Sequence, residues 1–521
     1  MTAAAMVLGV DVGGTNTDAV ILHGNTVIAS AKRFTTENVG GGLIEAVKAV
    51  LQESGLSPQR LAAVMIGTTQ FINAFVQRRD LAQVAAVRVS LPKTDGIPPM
   101  VGWPEDLIEV VGRQSYLIGG GSFYDGRVYA PLDEDGLKKA GREIKEAGVR
   151  SIALTANFAP VRPDIERQAA DILRQAHPDA DITLSHEVGG LGLIDRENAA
   201  IINACLRPLS RRVVSSLIDA LGHLGIRAPL YLSQNDGTLV STSYATRFPI
   251  VTCSAGPTNS IRGAAFLTGL QDAVVMDIGG TTTDLGFLVR GFPRETATAH
   301  PIGGVRTNFR MPDVLSIPLG GGTRVHGTTK NLKLGPDSVG YELTRRGRAF
   351  GGTELTTTDV AVRCGQAVLG DPALVAGIDA DLAGAVMDRI HNQIEDAIDQ
   401  MKTSSLPVPV VVVGGGSILL SRSLRGTSKV IRPPHAEVAN AVGAAISMVS
   451  GRVDRIFDFS AGREPALEQA KEEARAAALA AGAVPDSIEI VELTELPMTH
   501  MKTTAVQVKV RAVGKLHAGA L

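Results

Sequence analysis

Two segments of this chain carry the same order of carboxylates, glycines and hydroxyls: DVGGTNTD, beginning at Asp11, and DIGGTTTD, beginning at Asp277. In a glycine-rich turn, backbone N–H groups converge on phosphate oxygens with no Cβ in the way, and threonine hydroxyls add neutral donors. Phosphate binding is therefore expected of Gly13, Gly14, Thr15, Asn16 and Thr17, and of Gly279, Gly280, Thr281, Thr282 and Thr283. Neither copy has the spacing of a Walker-type loop, and neither contains lysine, so a divalent cation is expected to supply positive charge. Magnesium favours carboxylate and phosphate oxygens, which makes Asp11 and Asp277 the expected metal ligands. Asp18 and Asp284 sit past each turn, where a carboxylate either positions a nucleophile or pins the loop. All four aspartates stand as catalytic candidates. One DxGGT alone reads equally well as a tight hairpin; recurrence in the same setting favours chemistry.

A third glycine element, VVVGGGSILL at residues 411–420, runs from an apolar strand into Gly414, Gly415, Gly416 and Ser417. Such a turn lets adenine or ribose approach the backbone closely. It is also an ordinary strand-to-helix connection; its place after both phosphate motifs points to adenosine. His186, beside Glu187, reads as a structural histidine and is left out of the catalytic set.

These turns need strands to hold them. Each phosphate motif lies between two apolar runs, as in a hairpin. A third strand is expected at 26–33, an amphipathic helix at 42–53 and a strand at 62–66. Further strands are expected at 149–154, 182–184, 229–232, 249–252 and 408–413, with 254–260 a loop. Helices are expected at 164–175, 196–221, 261–267, 382–401 and 436–447, with Pro208 breaking or kinking the second. A charged helix at 466–481 and strands at 488–493 and 504–511 read as a small α+β appendage. The expected division is 1–190, 191–451 and 452–521, with an α/β fold in the first two.

Composition narrows the class. At 521 residues the chain exceeds the size of a single core, and 44% hydrophobic with 20% charged residues suits a globular protein. Lys plus Arg number 51 against 53 Asp plus Glu, which leaves no broad cationic surface for nucleic acid or anionic lipid. Cys205, Cys253 and Cys364 are far apart, without metal or disulfide spacing, and fit a reducing cytoplasm. The start lacks a basic segment, and no apolar run reaches about 18 residues, so neither signal peptide nor membrane span is expected.

The order of phosphate motif, second phosphate motif, adenosine glycines and a closing AVGAAI segment resembles the sugar kinase, Hsp70 and actin superfamily. More narrowly, VDVGGTNTDAV, IGTTQFINAFVQRR, LSHEVGGLGLIDRENAAIINACL, LSQNDGTLVS, CSAGPTNSIRGA, MDIGGTTTDLGFL and PLGGGT are similar to successive blocks of the hydantoinase and oxoprolinase family, ATP-binding subunit. The resemblance spans most of residues 6–450. It implies two actin-like, ribonuclease H-like domains around a cleft for ATP and Mg2+. It also implies phosphorylation of an amide or carbonyl oxygen in a hydantoin, lactam, 5-oxoproline or ketone, usually with a second hydrolase subunit; assembly of copies of the chain stays open. By position in these blocks, Thr68, Thr69, Gln234, Asn235 and Gly256 are expected along the substrate cleft. Thr68 and Thr69 read equally as helix caps, and Asn235 with Gly237 as a turn. Where the family commonly shows Asp-Ile-His, this chain has Asp313, Val314 and Leu315, so no histidine role carries over. The C-terminal region is shorter than in many relatives, which puts the same kind of partner in doubt. Two other readings share the motifs: a nucleotide-switched chaperone or reactivase, and a small-molecule kinase with a stable phosphorylated product.

Overall fold

The computed structural model describes residues 5–14, 16–34, 39–296, 301–308, 311–498 and 504–516. Thr15 lies outside them. Strands Met6–Val12, Asn16–His23 and Thr26–Phe34 form an antiparallel meander. On the other side of Met6–Val12, Leu61–Thr68 and Leu230–Ser233 add parallel strands. A second sheet repeats the scheme: Ala273–Ile278 and Thr283–Val289 make the hairpin, Val314–Ile317 extends it antiparallel, and Val408–Val413 and Thr427–Ile431 add parallel strands. This shared order is the actin-like, ribonuclease H-like arrangement, present twice.

Packing follows from pattern. Leu8, Val10 and Val12 on one strand, and Val274, Met276 and Ile278 on its counterpart, are fully or almost fully buried. Helix Val39–Ser54 packs onto the first sheet with Leu43, Ala46, Val47 and Val50, spaced as one helical face. The hairpin registers set Asp11 opposite Asp18 and Asp277 opposite Asp284, so each turn carries its two acids side by side.

Several elements differ from expectation. Asp181–Leu184, Ser151–Ala156, Val84–Leu91 and Ser115–Gly119 form a separate parallel sheet with its own core, inserted in the first half. Pro208 lies inside one helix, Leu193–His223, which continues past it. Residues expected as a strand form the 3-10 turn Pro249–Thr252, where proline donates no ladder bond and the Thr252 hydroxyl closes on the Pro249 carbonyl. Most of the expected loop at 254–260 is already helical, since helix Ala255–Thr268 places Pro257 in its first turn, where no N–H is needed. Residue 451 falls inside strand Met448–Asp458, which joins the first sheet beside Thr238–Ser241. Ala505–Gly514 and Glu489–Pro497 continue that sheet to its edge, and helix Arg463–Ala480 packs on them. Its contact is close: a Cβ on Gly451 would lie 2.2 Å from backbone atoms of Ala474 and Ala478.

Candidate nucleotide site

The two phosphate turns have the same local geometry. Gly13 N–H donates to the Asn16 carbonyl at 3.0 Å, and Gly279 N–H donates to the Thr282 carbonyl at 2.9 Å. Both turns open on one cavity of about 470 Å3, with Gly13, Gly14 and Asn16 on one side and Gly279, Gly280, Thr281 and Thr282 on the other. Gly414, Gly415 and Gly416 form a third part of its wall. Glycine is required there: Gly414 has φ +83°, and a Cβ would lie 2.3 Å from Asp277 Oδ1. Leu343, Phe350, Leu369 and Ile418 supply an apolar portion against which a base can pack.

The expected residues divide. Thr17 and Thr283 are fully buried, and the Thr283 hydroxyl donates to the Leu319 carbonyl, so these threonines brace the hairpins beneath the cavity. Ser417 is not on the cavity wall. Asp18 and Asp277 face the cavity, whereas Asp11 and Asp284 lie behind its surface. Thr68 and Thr69 follow the strand beside Val12; Thr68 Oγ1 accepts from Gln70 N–H, and Thr69 packs on Gly256. Asn235 is a turn residue, with Nδ2 donating to the Ile250 carbonyl and Oδ1 accepting from Ser254 N–H. Gln234 lines a different cavity, of about 780 Å3, with Tyr244 and Arg452. His186 is a core group whose Nδ1 lies 2.6 Å from Glu166.

Sequence reasoning missed several neighbours. Lys32 Nζ lies 2.6 Å from Asp18 and on the cavity wall, so a cation is present although neither motif holds one. Asn440 Nδ2 donates to Asp11 Oδ2 at 3.0 Å. The Ser260 and Ser316 hydroxyls donate to Asp277 and Asp284 respectively. Gly321 and Gly322 donate N–H bonds to the Gly279 and Gly280 carbonyls and so back the second turn.

Burial and mutual repulsion dominate the electrostatics. Burial, then the charge of Asp18, pushes the Asp11 carboxyl up to about 7, against the pull of Asn259 and Lys32. Burial raises Asp18 and Asp277 as well, while Lys32 opposes the rise at both. Asp284 is pushed up to about 6, by burial first, with Asp277 adding. Asp11 Oδ1 is buried beside the Asn259 amide. This crowded, under-compensated set of acids suits a divalent cation. Among the described residues no group of three or more His, Cys, Asp or Glu could hold a metal unaided, so phosphate or water oxygens must complete any shell.

Two actin-like sheets that each present a phosphate-type turn to one cavity define a protein of the two-lobed, nucleotide-cleft class. The chain belongs to the hydantoinase/oxoprolinase family: residues 7–177 match the family's N-terminal region, and residues 196–371 match its hydantoinase/oxoprolinase domain. It is similar to caprolactamase subunit alpha of Pseudomonas jessenii, 25% identical over 75% of this chain and 58% of that one. It is also similar to the acetophenone carboxylase gamma subunit of Aromatoleum aromaticum, 26% identical over 69% of this chain and 53% of that one. The chain thus spans little more than half the length of these curated relatives. Its fold matches the crystal structure of ATP-dependent caprolactamase from P. jessenii with a TM-score of 0.76 at 18% identity, over 98% of this chain and 88% of that chain. Nucleotide-free acetone carboxylase matches at 0.73, also at 18% identity, over 99% and 88% of the two chains.

Proposed function

We propose that the chain binds Mg-ATP between its duplicated turns and phosphorylates the oxygen of a cyclic amide or related carbonyl compound, as part of an ATP-dependent hydrolase with a second subunit. The observation that carries this reading is the single cavity on which both phosphate-type turns and the third glycine turn converge. The relatives' names support the substrate class: caprolactamase, acetone carboxylase and 5-oxoprolinase act on a lactam, a ketone and a cyclic amide. An amide is a poor electrophile, and phosphate on its oxygen turns that oxygen into a leaving group.

The chain's own residues divide the task. Backbone N–H groups of Gly14 and Gly280 would cradle the phosphates, with Gly13 and Gly279 closing the turns that present them, and the apolar wall at Phe350 and Ile418 would take the base. Asp277 on the cavity wall, with Asp11 behind it, would hold a magnesium ion, which would supply positive charge to the phosphates. Lys32 neutralises Asp18, so phosphate does not face a full set of carboxylates. Thr68, Thr69 and Gly256, beside the first turn, border the acceptor's approach. Approach of the two lobes would exclude water from the phosphate being transferred. Among the described residues no helix is long and apolar enough to cross a membrane, and a cytoplasmic setting fits the unpaired cysteines.

The test is ATP hydrolysis by the purified chain across hydantoins, lactams, 5-oxoproline and ketones, with and without the protein encoded beside it. Stimulation by one compound class supports the reading. Stimulation only by a protein client points instead to a nucleotide switch, and one stable phosphoester per ATP points to a kinase. Asp11→Ala and Asp277→Ala should each abolish Mg-ATP turnover with the fold intact; normal turnover in both would refute the loop assignment.

A further inference from the structure

One helix touches both acidic turns. Helix Ala255–Thr268 carries Asn259 and Ser260 in succession. The Ser260 hydroxyl donates to Asp277 Oδ2, the first acid of the second turn. The Asn259 amide crowds the first acid of the other turn: a Cβ on Gly67 would lie 2.3 Å from Asn259 Nδ2 and 2.5 Å from Asp11 Oδ1. Asn259 is fully buried, and its amide lies beside Asp11 and favours the charged form of that carboxyl.

The helix is seated with little freedom. It crosses helix Ala439–Ala445 so closely that a Cβ on Gly263 would lie 1.8 Å from the Ala439 carbonyl oxygen, and one on Gly443 1.8 Å from that of Asn259. That second helix carries Asn440, which binds the other oxygen of Asp11. Asp11 is therefore approached by two asparagines from two crossing helices, while the next residue along, Ser260, reaches across to Asp277. The Asn259–Ser260 pair thus links the first acid of one hairpin to the first acid of the other.

We infer that Asn259 and Ser260 are positioning residues that hold Asp11 and Asp277 at the spacing required to share one divalent cation. The inference rests on the Mg-ATP reading above. An amide and a hydroxyl behind the carboxylates orient the ligand oxygens and favour their charged forms, without contacting the cation.

The experiment measures nucleotide binding by calorimetry with the full chain, as a function of Mg2+ and in EDTA, beside thermal unfolding. Asn259→Ala and Ser260→Ala should each raise the half-saturating Mg2+ concentration about tenfold, the lower end of the usual effect of removing such a partner. Affinity for the nucleotide in EDTA should stay within about twofold. Thr258→Val, one residue away and bonded only to backbone carbonyls, is the control for a purely structural effect. It should lower the unfolding temperature without moving the Mg2+ dependence. Unchanged Mg2+ dependence in both alanine variants, or an equal shift in Thr258→Val, overturns the inference. If Asn259→Ala does not fold, Ser260→Ala, which removes a single oxygen, decides alone. A wild-type chain that binds nucleotide with no Mg2+ effect refutes the magnesium reading itself, and the inference with it.

Discussion

Gly67 offers a clean perturbation, because its backbone conformation is ordinary and only space is at issue. It sits one residue before Thr68 on strand Leu61–Thr68, in register with Asp11. A methyl group there would lie 2.3 Å from Asn259 Nδ2 and 2.5 Å from Asp11 Oδ1, where uncrowded contacts run at about 3.5 Å. Each group must therefore retreat by about 1 Å. Both are side-chain ends, but Asn259 is 0% and Asp11 3% exposed, so neither has open space to enter. Overpacking of this kind costs about 1–3 kcal/mol, and a catalytic group displaced by about 1 Å loses on the order of 100-fold in rate. Gly67→Ala should thus remain folded with a modestly lower melting temperature while steady-state ATP turnover at saturating Mg2+ falls about 100-fold. Turnover within threefold of wild type, in a variant with an unchanged melting curve, would refute the proposed role of Asp11 in turnover.

The pH dependence has a defined sign: folding raises the Asp11 pKa from 3.8 to about 7, so its contribution to stability is complete below pH 4 and is lost as pH rises through 7. At about 1.4 kcal/mol per pH unit, Asp11→Asn should gain about 4 kcal/mol on wild type between pH 4 and pH 8 in EDTA, by denaturant unfolding, and Mg-nucleotide should erase the gain. Lys32→Met leaves Asp18, 2% exposed, without its counter-ion, and should cost about 2–3 kcal/mol at pH 7, less at pH 4 where Asp18 can protonate; equal losses at both would refute the ion-pair reading. Gly384→Ala, in exposed helix with nothing near its Cβ, should add about 0.5–1 kcal/mol to stability and leave turnover unchanged.

The parts legible in the sequence were those that repeat or alternate. The two hairpins, their acids in register and the buried strand before Gly414 all follow from apolar runs around glycine turns. Lys32 shows why the rest was not. Counting back from the two-residue turn, with His23 opposite Thr26, would pair Asp18 with Ala31; a bulge between Ile21 and Leu22 shifts the register by one and brings Lys32 opposite. No residue type in that strand announces the bulge. Asn259 was hidden because Gly256 and Pro257 look like loop residues, although proline in a first helical turn costs nothing. Leu343, Phe350 and Leu369 come from short turns without periodicity, and only the fold gathers them. The C-terminal strands were readable as strands; that they extend the first sheet was not, because pairing across about 200 residues leaves no local trace.

Duplication gave the two turns the same acids, but their surroundings compensate them differently. Asp18 faces a full cation in Lys32, whereas its counterpart Asp284 accepts only the neutral Ser316 hydroxyl and is pushed up to about 6. Asp11 is met by two amides, and Asp277 by one hydroxyl. Lys32 opposes the rise at Asp18, Asp11 and Asp277, and Asp284 alone of the four lacks its pull. In the proposed Mg-ATP reading, the cation would sit against the acids and a phosphate oxygen would approach Lys32. The pseudo-symmetric pair of hairpins thereby presents an asymmetric field, which suits a nucleotide whose phosphate chain must enter in one direction.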